Sequence, residues 1–182
     1  MTKGRLTREQ QESLLALAHR AIRCHLEGKA LPEAETDDPL FQEKRGAFVT
    51  LKVDGQLRGC IGYVLPHKSL YKTVIDSAVA AAFRDYRFAN IDREELERTE
   101  VEISVLSLPK PVKNISEIKI GEHGLIISKG PHKGLLLPQV PVEWDWDLET
   151  FLRHTCIKAG LPEDEWKRGA KIEQFSAQVF AD

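Results

Sequence analysis

A chain of 182 residues, 42% hydrophobic and 30% charged, carries enough apolar material for one good core or two small subdomains sharing one. Its formal charge of −2 argues against binding nucleic acid or an anionic membrane by bulk electrostatics. No apolar run approaches the ~18–20 residues of a membrane-spanning helix, and the opening MTKGRLTREQQ has no apolar signal region. Cys24, Cys60 and Cys156 are odd in number, widely spaced and without a CxxC pair. That pattern argues against a disulfide framework or a zinc knuckle, so a reducing, cytoplasmic setting is expected.

In chain order, Thr7 and Gln10 have capping-box spacing ahead of a helix with Leu14, Leu17, Ala18, Ala21 and Ile22 on one face and Gly28 as its stop. The acidic segment from Leu31 to Gly46, with Pro32 and Pro39, reads as a surface connection in which Leu40 and Phe41 can pack. Ala47 to Val53 alternates as a strand, and Asp54-Gly55 is a two-residue hairpin signal. Pro66 and Ser69 introduce a helix from about Leu70 to Tyr86, rich in small residues for close packing. Asp92 with Glu95 opens a short acidic helix. Val101, Ile103 and Val105 form a strand face, ended by Pro109 and Pro111. Strand-like pieces follow at Ile115–Ile120, Leu125–Ser128 and Leu135–Leu137, separated by expected turns at Gly121, Gly124, Gly130 and Gly134. Asp147 caps a helix to about Ala159, closed by Gly160 and Pro162, and a last strand covers Ile172–Val179. The order is that of an α+β fold, not a regular βαβ alternation.

The stretch with the most chemistry is LRGCIGY, Leu57 to Tyr63. Counting outward from a two-residue loop, Val53 pairs with Gln56, Leu51 faces Arg58 and Val49 faces Cys60. Arg58 and Cys60 then share a strand face with Cα atoms ~6.5 Å apart. One reading is an activated nucleophile or soft ligand beside a guanidinium. The other is a small buried hydrophobe, with Gly59 and Gly62 admitting a close backbone or ring. The glycines also let backbone N–H groups approach an oxyanion.

A thiol nucleophile needs a base, and His123 in its Gly-Glu-His-Gly stretch is the best candidate; the bland alternative is an ordinary turn residue. Glu102 faces away from Val101 and Ile103, beside Ser104, as a general acid/base or a solvated carboxylate. Asp85 and Arg87 are ligand contacts or a structural ion pair. Gln139 can read a ligand's polar edge or close a turn. Glu143, Asp145 and Asp147 surround Trp144 and Trp146; Asp147 is expected to cap a helix and the tryptophans to pack. Cys156 and Cys24 read as core residues on their helices. Lys167 to Lys171 is basic but has no interleaved aromatics, so it makes no nucleic-acid surface.

LRGCIG, GAFVTL (Gly46–Leu51), AAFRD (Ala81–Asp85), VEISVL (Val101–Leu106), EHGL (Glu122–Leu125), LLLPQV (Leu135–Val140) and FLRHTCIKAGL (Phe151–Leu161) stand in order along nearly the whole chain. Together they resemble the AMMECR domain family, named after the Alport–midface hypoplasia–elliptocytosis candidate region, whose signature hexapeptide is LRGCIG. The resemblance implies two small helix-on-sheet subdomains around a cleft. It also implies company with Memo-like proteins and radical-SAM enzymes, while it names no reaction and no cofactor. In one place the chain departs from the family's D-P-R-F-P, reading Asp85-Tyr86-Arg87-Phe88-Ala89. The combined expectation is one α+β domain over residues 1–182, either undivided or built of two interleaved subdomains, with antiparallel or mixed sheets. Its cleft would bind a small polar or anionic ligand, with Cys60, His123 and Glu102 as catalytic candidates. Arg58, Gly59, Gly62, Gln139, Asp85 and Arg87 would be the binding residues. The rival expectation is a non-enzymatic accessory module for a Memo-like or radical-SAM partner.

Overall fold

A computed structural model of the chain describes residues 5–33 and 38–182. Two compact units emerge, one formed by Met1–Leu106 with Gln178–Asp182, the other by Ser107–Ala177. Each joins helices to antiparallel strands, as expected of an α+β chain.

In the first unit, α1 (Arg8–Leu26) starts at the reciprocal Thr7–Gln10 capping box and buries Leu14, Leu15, Ala18, Ala21 and Ile22. The chain leaves the helix through Gly28 at φ 67°. Within the acidic connection, Asp38 caps the single turn α2 (Pro39–Gln42), which seats Phe41 in the core; residues 34–37 of that connection lie outside the described residues. The hairpin β1 (Ala47–Val53) and β2 (Gln56–Tyr63) turns at Asp54 and Gly55, with φ of 52° and 74° as a primed turn requires. Ser69 caps α3 (Leu70–Phe83), buried on most of its surface. The helix stops three residues short of the expected Tyr86 because Asp85 and Arg87 turn their side chains to β2. A second capping box, Asp92 with Glu95, starts α4 (Arg93–Leu96), and β3 (Thr99–Leu106) then pairs with the other edge of β1. Val49, Leu51, Val101 and Ile103 on one sheet face meet Leu70, Val74 and Ala78 of α3 and Ile22 of α1. Full burial of such a side chain stabilises by roughly 1.5–3 kcal/mol, so this layer is the unit's main source of stability.

The second unit contains β4 (Lys110–Pro111), β5 (His123–Lys129), β6 (His132–Leu136), α5 (Val140–Glu143), α6 (Leu148–Lys158) and most of β7 (Lys171–Ala181). β5 pairs with β6 on one side and with β7 on the other, and β4 adds two residues to the far edge of β7. Asp147 caps α6 by accepting from Thr150 N, as its position predicts. Leu125 and Ile127 pack against Phe151, Leu152 and Cys156 of α6.

Two expectations change here. The Ile115–Ile120 stretch is not a strand; Asn114 caps a 3-10 turn over Ile115–Glu117, and only Ile118 is buried. Gly124 and Gly134 are not turn residues but lie inside β5 and β6, where an added Cβ would sit 2.3 Å from the Phe175 ring and 2.2 Å from Ala159 N respectively. The end of β7 and the residue after it, Gln178–Asp182, belong to the first unit. There the Gln178 side-chain amide bonds both Leu6 N and Leu6 O, at 2.9 and 3.0 Å, as a neighbouring strand would. Among the described residues no helix is long and apolar enough to cross a membrane.

Candidate functional site

The hairpin does not run straight back from its turn. Val53 pairs with Gln56 and Lys52 with Leu57, but Leu51 then pairs with Gly59, Thr50 with Cys60 and Val49 with Ile61. Arg58 is an extra residue on β2, a β-bulge, and a one-residue slip carries every following side chain to the opposite face. The expected Leu51–Arg58 and Val49–Cys60 pairs are therefore replaced. Gly59 and Ile61 fall on the helix-covered face with Leu51 and Val49, while Cys60 and Gly62 fall on the other, with Thr50 and Phe48.

Beyond Phe48 and Gly62, that other face carries a polar row. Thr50 also pairs with Glu102 of β3, so Cys60, Thr50 and Glu102 form one row across three strands. Successive strands stand ~4.8 Å apart, which puts the ends of the row ~10 Å apart at Cα. Thr50 Oγ1 donates to Cys60 Sγ at 3.2 Å, and Lys52 Nζ meets Glu102 Oε2 at 3.0 Å. Cys60, Thr50, Lys52 and Glu102 are all half-buried, so the face is reachable by solvent. Thr50 and Lys52 were not among the expected site residues; the alternation of Phe48, Thr50 and Lys52 against Val49 and Leu51 is the only signal for them, and it needs the bulge to connect them to Cys60.

The bulge gives Arg58 a different partner from the expected one. Its side chain is 16% exposed and forks onto Glu95, with Nε–Oε1 at 2.8 Å and Nη2–Oε2 at 2.9 Å. It also donates to Ala89 O and Asn90 O, at 2.6 and 3.3 Å. This guanidinium holds the Glu95 carboxyl below the ordinary carboxylate range, against the opposing effect of desolvation. Arg58 thus ties the segment between α3 and α4 to β2.

The guanidinium beside Cys60 is Arg87. On the outer edge of β2, Asp85 Oδ2 accepts from Cys60 N at 2.9 Å and Arg87 Nη2 donates to Cys60 O at 3.3 Å. The two side chains pair with each other at 2.7 Å, so the structural ion-pair reading of Asp85 and Arg87 holds. Together they close one N–H and one C=O of an edge strand, groups that otherwise invite pairing with a foreign strand. Asp85 is buried, at 4% exposure, whereas the Arg87 side chain is 45% exposed. Arg87 foremost, then the N–H groups of Cys60 and Arg87, hold the Asp85 carboxyl far below the usual carboxylate range despite its desolvation.

The two glycines have distinct spatial duties. A Cβ on Gly59 would lie 2.1 Å from Ala81 O, because the backbone of α3 rests directly on β2 there. A Cβ on Gly62 would lie 2.4 Å from the Phe48 ring and 2.5 Å from Ala47 O. Gly59 therefore faces the helix, and Gly62 lies under a ring on the same face as Cys60.

His123 and Gln139 belong to the second unit. His123 opens β5, and its Nδ1 accepts from Lys119 N at 3.2 Å, which closes the 119–123 turn and assigns the proton of the neutral ring to Nε2. Gln139 precedes α5, exposed and without a side-chain capping bond; its backbone carbonyl accepts from Val142 N and Glu143 N at 3.1 and 2.9 Å. Cys156 is fully buried, and burial foremost pushes its thiol up. Cys24 is half-buried rather than a core residue. Among the described residues no three His, Cys, Asp or Glu side chains are grouped to hold a metal ion.

The AMMECR1 family model matches residues 15–180 of the chain. A protein of Methanothermobacter thermautotrophicus is 43% identical over 183 residues, spanning 96% of this chain and 95% of its own. A protein of Methanopyrus kandleri is 44% identical over 188 residues, spanning 98% and 91%. The crystal structure of an uncharacterized protein from Pyrococcus horikoshii superposes with a TM-score of 0.81 at 41% identity, covering 97% of this chain and 93% of that one.

Proposed function

The chain belongs to the AMMECR1 family, and we propose that the polar sheet face of its first unit binds a small polar ligand against the Cys60 thiol. The observation that supports this is the bulge at Arg58, which aligns Cys60 with Thr50 and Glu102 away from the helix-covered face. Thr50 offers a hydroxyl, Glu102 an acceptor and Lys52 a cation within one row and its neighbour. The exposed part of Arg87 lies next to the Cys60 carbonyl and adds a donor for an anionic group. In the catalytic form of this reading the Cys60 thiol adds to a carbonyl carbon of the bound ligand: the C–S bond forms as the C=O π bond breaks onto oxygen, and Glu102 takes the thiol proton and returns it to that oxygen, giving a hemithioacetal-type adduct. His123 and Gln139, in the second unit, are not part of it.

Native mass spectrometry of the protein purified from its own host tests the binding. A retained small molecule in the wild type, lost in both Cys60→Ser and Glu102→Gln, supports the site. Equal retention in the wild type and both variants removes it. For the catalytic form, selective alkylation of Cys60 together with Cys60→Ser and Cys60→Ala must abolish turnover of the molecule so identified.

A second reading is favoured by the outer edge of the same unit, where Tyr86 is 95% exposed and Leu57 and Tyr63 are 44% and 42% exposed. Such side chains suit an accessory module that docks a protein such as a Memo-like or radical-SAM partner. Tyr86→Ala then disrupts a co-purifying complex while Cys60→Ser leaves it intact.

A further inference from the structure

The second unit carries an aromatic run that none of the site residues explains. Trp146 and His154 stack with ring centroids 4.0 Å apart and planes 13° from parallel. Trp144 continues the run from the other indole at 6.3 Å and 24°. Trp146 is half-buried against the core of the unit, but Trp144 is 67% exposed, contrary to the expectation that both tryptophans pack. The platform is held from beneath. Trp146 N bonds Pro141 O at 2.8 Å, Trp144 N bonds Val140 O at 3.2 Å, and Asp145 between them sits at φ 51°, a conformation Asp adopts more readily than most residues.

The immediate chain neighbours of Trp144 are acidic. Glu143 and Asp145 flank Trp144 and are both exposed. Two cations of the same unit are engaged by other carboxylates, Lys167 by Glu149 and Arg153 by Glu163. That leaves the Glu143 and Asp145 carboxylates without a cationic partner among the described residues. Asp147 is spent on the cap of α6. An exposed indole face attracts a flat cation, a guanidinium above all, and a carboxylate at the rim can take its N–H fork. The same carboxylates repel phosphate, which disfavours a stacked nucleotide.

We propose that Trp144, in ring contact with the Trp146 that His154 backs and flanked in the chain by Glu143 and Asp145, docks an arginine side chain from a basic segment of a partner protein. The surface belongs to the second unit and does not depend on any reaction at Cys60. The probe is a fluorescein-labelled heptapeptide of alternating glycine and arginine, followed by anisotropy at low salt. Saturable binding is expected, weakened about tenfold or more by Trp144→Ala and about threefold by the double change Glu143→Gln, Asp145→Asn. The lysine version of the peptide binds several-fold more weakly. Trp144→Phe, which keeps a ring, restores part of the loss, and circular dichroism checks that each variant is folded. No saturable binding, or equal binding by Trp144→Ala, overturns the proposal. So does tighter binding of a labelled oligouridylate, or self-association that buries Trp144 in a second copy of the chain.

Discussion

The two units use the same packing device and finish it differently. In the first, Gly59 lets the backbone of α3 rest on β2, and on the opposite sheet face the Phe48 ring lies over Gly62. In the second, Gly134 lets the end of α6 rest on β6, and on the opposite face the Phe175 ring lies over Gly124. Beside its covered glycine the second unit places Ile126, buried like Phe175. The first unit places Cys60, Thr50, Lys52 and Glu102 in the corresponding rows. The cysteine of the second unit is instead inside the core, on α6. Shared architecture therefore accounts for the glycines, while the polar row around a reachable thiol is peculiar to the first unit and is not required by packing.

The glycine half of the comparison breaks most readily by substitution. Gly59→Ala and Gly134→Ala each drive a methyl onto backbone atoms of a helix, where no side-chain rotation relieves the overlap. Each is expected to cost about 3 kcal/mol in urea-induced unfolding. A loss below ~1 kcal/mol in either shows that the helix shifts easily and that the two contacts are not equivalent.

The next largest effect separates the units, because among the described residues only the first has an ion pair sealing its edge strand at the cysteine. Asp85→Ala leaves Cys60 N–H without its acceptor and Arg87 without its carboxylate, at an expected cost of about 2 kcal/mol. Asp85→Asn keeps an acceptor and loses less. The folded-state carboxyl of Asp85 is held below its ordinary value. Its stabilisation is therefore complete above the unfolded-state value of ~3.9 and is lost as pH falls through the lower folded value. The stability gap between wild type and Asp85→Asn should stay constant at neutral pH and close only in strong acid. A gap that closes already between pH 5 and 7 contradicts this arrangement.

Local chemistry made much of the fold legible in advance. The Thr7, Ser69, Asp92 and Asp147 caps and the Asp54-Gly55 turn are decided within a few residues, and the structure has each of them. What was not legible depends on contacts distant in sequence. The bulge at Arg58 is held by Glu95, Ala89 and Asn90, more than thirty positions away, so a count from the hairpin turn misplaced Cys60 by one register step. Gly124 and Gly134 looked like turns because what they accommodate, Phe175 and Ala159, lies far along the chain. At the candidate site the Asp85–Arg87 pair was foreseeable from spacing, but its hold on the backbone of Cys60 was not. Nor was Thr50, which becomes the neighbour of the thiol only through the slipped register.

The smallest expected effects decide whether that register holds in solution. In a Cys24→Ser background, iodoacetamide should modify Cys60 in the folded protein and reach Cys156 only on unfolding, since Cys156 is sealed in the core with its thiol pushed up by burial. Intact-mass measurements over time read both rates. Thr50→Val then removes the hydroxyl that donates to Cys60 Sγ while keeping the side chain's shape. It should cost only about 0.5 kcal/mol of stability, yet change the Cys60 alkylation rate by about twofold to threefold. In an unbulged hairpin Val49, not Thr50, would neighbour Cys60, and the substitution would leave that rate untouched. A stability change without a rate change would therefore return Cys60 to the helix-covered face and remove the thiol from the proposed ligand site.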